Sequence, residues 1–380
     1  METNGGTARA GASFEALLGE PWRLWRRLQS LPRVVQAAFQ TRVGVTPSQV
    51  LLREGTHELL HYVRQTPATQ AEPVVLCYAL VNRPYILDLE PGKSVVEQYL
   101  RAGFEVYLID WGVPTDGDRG LGLEHYVEFL AKAVDLVRRR HARPSAHLLG
   151  YCMGGTLAAM FAALEPGAVK TLALLAAPLD FSGRESLLNL WTQPEHFDVD
   201  GFIDRLGNCP AWFLQTCFLY MNPVRNFVDK PLAFYEHMDD PQAVASTLAL
   251  ERWLNDNIPV AGETFRQFVK LLYQRNELVR GELAVGGRRV DLGRITCPVL
   301  LLTARNDHLV PPASTEGIRA RLGSPEVTSM GVSAGHVGLV VGGKAHARFW
   351  PEATRWVADR STRVSDAVPP WRFQERQPTA

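Results

Sequence analysis

A cysteine stands at the centre of a glycine-rich segment, Gly150-Tyr151-Cys152-Met153-Gly154-Gly155. The pattern is G-x-C-x-G, and it follows a predicted strand and precedes a predicted helix of small residues. On such a turn the glycines leave room for the neighbouring strand and helix, and the sulfur stands at a helix N-terminus, which favours thiolate. A buried structural cysteine is the alternative, and the strand-turn-helix setting favours a nucleophile.

A thiol nucleophile needs a base, and the base needs a group that orients it. In a fold with a nucleophile on this kind of turn, an acid and then a histidine follow it along the chain. Asp307 lies in the turn after the apolar run 298–303, and His336 lies in a loop of small residues after a later predicted strand. His308 competes as the base because it adjoins Asp307. The sequence predicts Cys152, Asp307 and His336 as the catalytic set.

Two backbone N–H groups are candidates for stabilising a developing oxyanion. One belongs to Met153, which directly follows the cysteine. The second should come from the loop after the first buried strand, Tyr78 to Pro84. The backbone N–H groups of Val81 and Asn82 are both candidates within this loop, and we predict that Val81 is the donor. The alternative is that the loop simply connects two elements.

The elements around these residues alternate between apolar runs and helical periodicity. Such alternation predicts a parallel sheet with helices on both faces, the α/β class. The nucleophile turn narrows this prediction to an α/β-hydrolase fold with a mostly parallel central sheet and a helical cap. Strands are predicted at 74–78, 104–110, 146–149, 172–175, 298–303 and 327–332, and helices at 95–102, 126–139, 154–164 and 345–359.

The strand rhythm stops between the fourth and fifth predicted strands, where aromatic residues are frequent. We expect a helical insertion there, residues 183–291, which we call the cap. Its aromatic residues fit either a lid over the site or a helical domain with its own core. The α/β core is expected at 13–182 and 292–363, with a helical segment at 14–63. Residues 1–12 and 364–380 are polar and are expected to be disordered.

Charge and cysteine usage exclude several classes of protein. The chain has 380 residues, with 40 basic and 40 acidic side chains, so a strongly basic nucleic-acid-binding protein is not expected. Five widely spaced cysteines without a C-x-x-C pair indicate neither a zinc ribbon nor a disulfide scaffold. No secretion signal or membrane-spanning run is predicted. We therefore expect a cytoplasmic protein that needs no metal.

Four segments together resemble the polyhydroxyalkanoate synthase family. They are residues 150–156 around Cys152, the segment Tyr78 to Leu89, the segment Val106 to Gly112, and Asn306-Asp307-His308-Leu309-Val310-Pro311. The resemblance covers roughly residues 45–360, and the chain length is similar to that of the short catalytic subunits of classes III and IV. In that family a cysteine in a lipase-like box accepts the acyl group, a histidine deprotonates it and an aspartate assists. These roles fall by position on Cys152, His336 and Asp307.

The resemblance implies polymerisation of a (3R)-hydroxyacyl-CoA, by default 3-hydroxybutyryl-CoA, to polyester with release of CoA. It implies no cofactor, since the CoA thioester is the substrate. It also implies a homodimer, a second non-catalytic subunit (PhaE-like or PhaR-like), and a place at cytoplasmic polyester granules. One alternative is an intracellular polyester depolymerase or other thiol hydrolase of the same fold. Another is a non-catalytic granule-binding protein, which an intact set of candidate catalytic residues disfavours.

Overall fold

An eight-stranded sheet forms the centre of the computed structural model, which describes residues 29–34, 36–37, 42–183 and 185–364. The apolar runs form strands because their side chains are buried on both sheet faces, as in β3, β5 and β7 below. The strands are β1 Ser48–Glu54, β2 His57–Tyr62, β3 Val74–Cys77, β4 Val106–Asp110, β5 Ala146–Tyr151, β6 Val169–Leu175, β7 Val299–Ala304 and β8 Val327–Val332.

The order of the strands across the sheet is β1-β2-β4-β3-β5-β6-β7-β8. All pairs from β4 to β8 are parallel, and β2 pairs antiparallel with both β1 and β4. The carboxyl ends of the parallel strands therefore lie along one edge of the sheet, where such folds bind their ligands. This arrangement confirms the predicted α/β-hydrolase fold with a mostly parallel sheet.

Helices cover the sheet and fill the cap. They are α1 Val95–Arg101, α2 Leu123–Arg140, α3 Met153–Leu164, α4 Leu187–Trp191, α5 Val199–Leu206, α6 Ala211–Tyr220, α7 Lys230–His237, α8 Pro241–Leu254, α9 Gly262–Gln267, α10 Glu277–Arg280, α11 Pro312–Glu316, α12 Gly338–Val341 and α13 Trp350–Ala358. Three π-helical turns occur at Arg225–Asp229, Phe268–Gln274 and Ala345–Phe349. Short 3₁₀ turns occur at Pro84–Leu87, Asp116–Asp118, Pro166–Ala168, Leu292–Arg294 and Arg319–Arg321.

Two of these helices show how sequence pattern and packing agree. In α2 the apolar residues recur on one face, and Tyr126, Phe129, Leu130 and Ala133 are all buried. In α3 every residue after Met153 is buried, because its small side chains allow close approach to the sheet. The predicted helices in these two places are confirmed.

The helical segment predicted at 14–63 is wrong over its C-terminal part. Residues 48–62 form the antiparallel hairpin of β1 and β2, with a turn at Gly55, whose φ is +59°. The leucines here lie on two successive strands, and their combined spacing resembled helical periodicity. Helix is present at 29–34 and 36–37, whereas 14–28 lies outside the described residues.

The cap lies between β6 and β7, and α4 to α10 all fall inside it. A mainly helical insertion was predicted there, and one end of the cap also contains two short strands, Ala284–Val285 and Arg288–Arg289, which pair antiparallel. Gly286 and Gly287, with φ of +55° and +73°, form the tight turn between them. A similar short pair, Asp88–Glu90 with Lys93–Ser94, lies in the core.

The predicted disordered segments, 1–12 and 364–380, lie outside the described residues except for Val364, whose N–H donates to the Thr69 carbonyl at 3.0 Å. Among the helices that are described, none is both long and apolar enough to cross a membrane.

Candidate active site

Cys152 lies on the turn between β5 and α3 in a backbone conformation that few residues other than glycine adopt. Its φ is +54° and its ψ is −129°. The Cys152 N–H donates to the Leu175 carbonyl at 3.0 Å, and the Cys152 carbonyl accepts from the Gly155 N–H at 2.8 Å. These bonds to β6 and to α3 hold the strained turn and keep the cysteine at the carboxyl edge of the sheet.

The glycines of the turn are required by close packing. A Cβ on Gly154 would lie 2.3 Å from the carbonyl oxygen of Cys77, and one on Gly150 would lie 2.5 Å from the Gly155 Cα. A Cβ on Gly155 would lie 2.3 Å from the Ala177 Cβ. Each distance is too short for a real contact, so side chains at these positions would displace α3 from the sheet.

Asp307 and His336 meet although 29 positions separate them in the chain. His336 Nδ1 lies 2.7 Å from Asp307 Oδ2, and Asp307 Oδ1 accepts from the N–H groups of Leu309 and Val310, each at 2.9 Å. Asp307 follows β7 and His336 follows β8, which are neighbouring parallel strands, so both loops emerge at the same edge. The carboxylate thus orients the ring and leaves Nε2 for another partner.

The charges around His336 favour its protonated form. Burial alone lowers the pKa of the imidazole, but the negative charges of Asp307 and Cys152, with hydrogen bonds to both, outweigh it and raise the pKa to about 10. The charge of Cys152 contributes to this shift, so the Cys152 side chain lies within electrostatic reach of the ring. The ring is therefore suited to hold a proton that it accepts from a neighbouring group.

Three tyrosines lie around this pair, Tyr78 and Tyr151 buried and Tyr273 half-buried, and sequence reasoning assigned no role to them. The Tyr151 ring stacks on the His336 imidazole with centroids 5.0 Å apart, and its hydroxyl donates to the His336 carbonyl at 3.3 Å. Burial raises the pKa of Tyr78 and of Tyr273, and the charge of Cys152 raises both further, so both phenols lie within electrostatic reach of Cys152. The position of Tyr151 inside the cysteine motif could have identified it, whereas Tyr273 belongs to the cap.

The two predicted oxyanion donors belong to different elements, Met153 to α3 and Val81 to the loop after β3. Met153 is the first residue of α3, so its N–H has no acceptor within the helix. The loop after β3 lies against α3, as the close approach of Gly154 to Cys77 and Tyr78 requires. Val81 in this loop is buried, and its carbonyl accepts from the Ile258 N–H of the cap at 3.3 Å. The cap therefore helps to position the loop that carries Val81.

The other candidate base is not brought to the site. His308 is exposed, whereas the neighbouring Asp307 points inward and binds His336. The side-chain amide N–H of Asn82 donates to Asn257 Oδ1, and this bond ties the loop to the cap. Within the described residues, no group of three or more histidine, cysteine, aspartate or glutamate side chains could hold a metal ion.

Two family profiles match parts of this chain. The profile of a family described as "alpha/beta hydrolase fold" matches residues 72–342. A second profile, described as "Poly-beta-hydroxybutyrate polymerase (PhaC) N-terminus", matches residues 33–100. Among solved structures, a monoacylglycerol lipase of Paleococcus ferrophilus aligns with 81% of this chain and 100% of its own, at 15% identity and a TM-score of 0.48.

Three curated relatives are each named poly(3-hydroxyalkanoate) polymerase subunit PhaC. That of Haloferax mediterranei is 40% identical over 344 residues, covering 90% of this chain and 70% of the relative. Those of Allochromatium vinosum and Synechocystis are each 38% identical, covering 83% and 84% of this chain and 90% and 86% of the relatives. The chain therefore belongs to the PhaC family of polyhydroxyalkanoate synthases, acyl-transferring enzymes of the α/β-hydrolase superfamily.

Proposed function

We propose that this chain polymerises a (3R)-hydroxyacyl-CoA, with 3-hydroxybutyryl-CoA as the default monomer, through an acyl group bound to Cys152. The observation that carries the proposal is a His336 imidazole that Asp307 orients and that stacks on Tyr151, the residue next to Cys152. In this proposal Cys152 is the nucleophile, His336 the base and Asp307 the orienting acid.

In the proposed acylation step, His336 moves the proton and Cys152 forms the new bond. His336 takes the proton of Cys152 as the sulfur attacks the thioester carbon. The bond between that carbon and Sγ forms, the bond to the CoA sulfur breaks, and the CoA sulfur leaves with the proton from His336. The N–H groups of Met153 and Val81 are proposed to bind the transient oxyanion.

Elongation requires a 3-hydroxyl group, rather than water, to attack an acyl thioester. The residue that activates this hydroxyl is His336 in our proposal, because both Asp307 oxygens already accept hydrogen bonds and its side chain is fully buried. The hydroxyl gives its proton to His336, its oxygen bonds to the acyl carbon, and the bond to Sγ breaks. The released sulfur regains a proton.

Water must stay out while the polymer grows, because hydrolysis would end the chain. We propose that the cap serves as the lid, since the Ile258 N–H of the cap donates to the Val81 carbonyl and Arg225 of the cap lies beside Gly335. Many aromatic residues of the cap also pack on one another, for example Phe202 on Phe213 with centroids 4.6 Å apart. The helices therefore form a core of their own while they cover the site.

We further propose a homodimer that works with a non-catalytic subunit, PhaE-like or PhaR-like, at cytoplasmic polyester granules. The word "subunit" in the names of the relatives supports the second subunit. Light scattering of the purified chain, alone and with each type of subunit, tests the assembly. A fluorescent fusion imaged in cells that contain polyester tests the location.

One assay separates the proposal from its main alternative. Purified protein is given (R)-3-hydroxybutyryl-CoA, and released CoA, soluble acid and insoluble polyester are measured together. We expect CoA release with polyester and little free acid. Release of CoA with free acid alone would instead identify a thiol hydrolase, and unchanged CoA release by Cys152→Ala would contradict the proposed nucleophile.

A further inference from the structure

A π-helical turn in the cap brings two cations together. In the turn Arg225–Asp229 the Lys230 N–H donates to the Arg225 carbonyl, five positions earlier. This wider spacing places residues 225 and 230 one above the other, and such turns are frequent at functional sites. The charge of Arg225 lowers the pKa of Lys230, so the two side chains lie within electrostatic reach of each other.

These two cations are not neutralised as other cations of the cap are. Arg266 contacts Asp200 and Asp204, and Lys270 contacts Asp200, all at 2.5–2.6 Å. In the part of the chain that the structure describes, neither Arg225 nor Lys230 forms such an ion pair. Burial lowers the pKa of half-buried Lys230, and the charge of Glu251, which forms no ion pair with it, only partly offsets this.

Arg225 also reaches from the cap to the rim of the site. A Cβ on Gly335 would lie 3.6 Å from Arg225 Nη1 and 3.6 Å from the Asn306 carbonyl oxygen. Gly335 directly precedes His336, and Asn306 directly precedes Asp307. The exposed guanidinium therefore lies over the two loops that carry the proposed base and its orienting acid.

We propose that Arg225 and Lys230 bind the phosphate groups of the CoA portion of the substrate while its thioester lies at Cys152. The inference rests on the proposed function and deepens it. Two adjacent cations without a carboxylate partner form a favourable site for a multiply charged anion, and arginine in particular binds phosphate through two parallel hydrogen bonds. The pantetheine arm is long, so phosphates belong at the rim of a buried site.

The test compares two substrates that differ in the phosphates. Thiol release is measured with (R)-3-hydroxybutyryl-CoA and with the pantetheine thioester of the same acid, which has no phosphate. The ratio is kcat/KM for the CoA thioester divided by kcat/KM for the pantetheine thioester. In the double variant Arg225→Gln/Lys230→Gln we expect this ratio to fall about ten- to hundredfold. Arg225→Lys should recover part of the loss. Arg205→Gln removes an exposed cap arginine that bonds its own helix at Gly201, and should leave the ratio at the wild-type value.

A binding measurement gives a second readout that does not depend on turnover. Calorimetry with adenosine 3′,5′-bisphosphate should detect binding to the wild type and a loss of about tenfold or more in affinity for the variant. An unchanged ratio and unchanged affinity, or an equal loss with both substrates, would overturn the inference. Absence of thiol release from both substrates in the wild type would count against the proposed function instead. If the double variant does not fold, Arg225→Gln alone is measured.

Discussion

On the core side of Cys152, Asp307 and His336 follow adjacent strands of the sheet and are held by hydrogen bonds at 2.7–2.9 Å. On the cap side, Tyr273 and Arg225 are supplied by helical turns outside the sheet. The core side offers buried, hydrogen-bonded groups, whereas the cap side offers a half-buried aromatic group and an exposed charged group. In our proposal the core carries the chemistry and the cap decides which substrate reaches it.

Two parts of the cap differ in how closely they contact the rest of the protein. Its α8 is tied to the loop after β3, because Trp253 Nε1 donates to the Arg83 carbonyl at 2.8 Å and Tyr85 donates to Asp256 at 2.9 Å. In contrast, α6 leaves Trp212 with 64% and Tyr220 with 59% of their surface exposed. Substitutions on the core side of Cys152 should therefore mainly affect catalysis. Substitutions in the cap should mainly affect stability, and more in its buried part than in its exposed part.

The largest effect is expected from Cys152→Ala, which removes the proposed acyl acceptor. CoA release should fall by at least about 10³-fold. The melting temperature should change little, because only one sulfur is removed. Cys217→Ala, a half-buried thiol in the cap, is the matched control and should retain activity. If the Cys152 variant kept activity within tenfold of the wild type, the proposal that the core residues carry the chemistry would be refuted.

His336→Gln should reduce acylation by about 10²- to 10⁴-fold, since glutamine cannot take the proton of Cys152. Rapid-quench labelling with radioactive substrate measures acyl-enzyme formation directly, and a thermal melt shows whether the fold survives. The control is His308→Gln, which alters the exposed histidine next to Asp307. Equal losses in the two variants would mean that the exposed ring also takes part.

On the cap side, Leu272→Ala should lower the free energy of unfolding by about 2–5 kcal/mol, because Leu272 is fully buried and a cavity would remain. The cavity lies beside Tyr273, so KM should also rise. Urea unfolding and steady-state kinetics measure the two effects. A change in kcat alone would show that this part of the cap serves the chemistry itself.

Asp307→Asn should lower the pKa of His336, because it removes the charge that raises this pKa. The folded-state pKa of about 10 exceeds the ordinary value of 6.5, so the charged ring stabilises the fold fully below about pH 6.5 and no longer above about pH 10. The stability advantage of the wild type over the variant should therefore shrink as the pH rises from 6.5 to 10. Urea unfolding at three pH values checks this, and a constant difference would contradict it.

The smallest effect is expected at the exposed part of the cap. Trp212→Ala should change the free energy of unfolding by no more than about 0.5 kcal/mol, because most of the ring is already in water. Chemical denaturation of the isolated chain measures it. A loss comparable with that of Leu272→Ala would show that α6 is held as firmly as the rest of the cap.

The local patterns of the sequence allowed much of the core to be predicted. Residues 146–164 combine a buried strand, a glycine turn and a small-residue helix, and each is encoded by neighbouring side chains. The hairpin at 48–62 could not be predicted in this way, because its strands are defined by pairing with each other and with β4. The cap helices were expected only as a group, since their boundaries depend on contacts with distant loops.

The sequence by itself determined the fold class, the family and the turn that carries Cys152, since all three depend on short segments and on their order. The tertiary structure decided which groups meet at that turn: His336 and not His308 bonds to Asp307, Tyr151 supports the ring, and Arg225 reaches over Gly335. The physical reason is the strand order of the sheet and the path of the cap, which bring together residues that no local spacing relates.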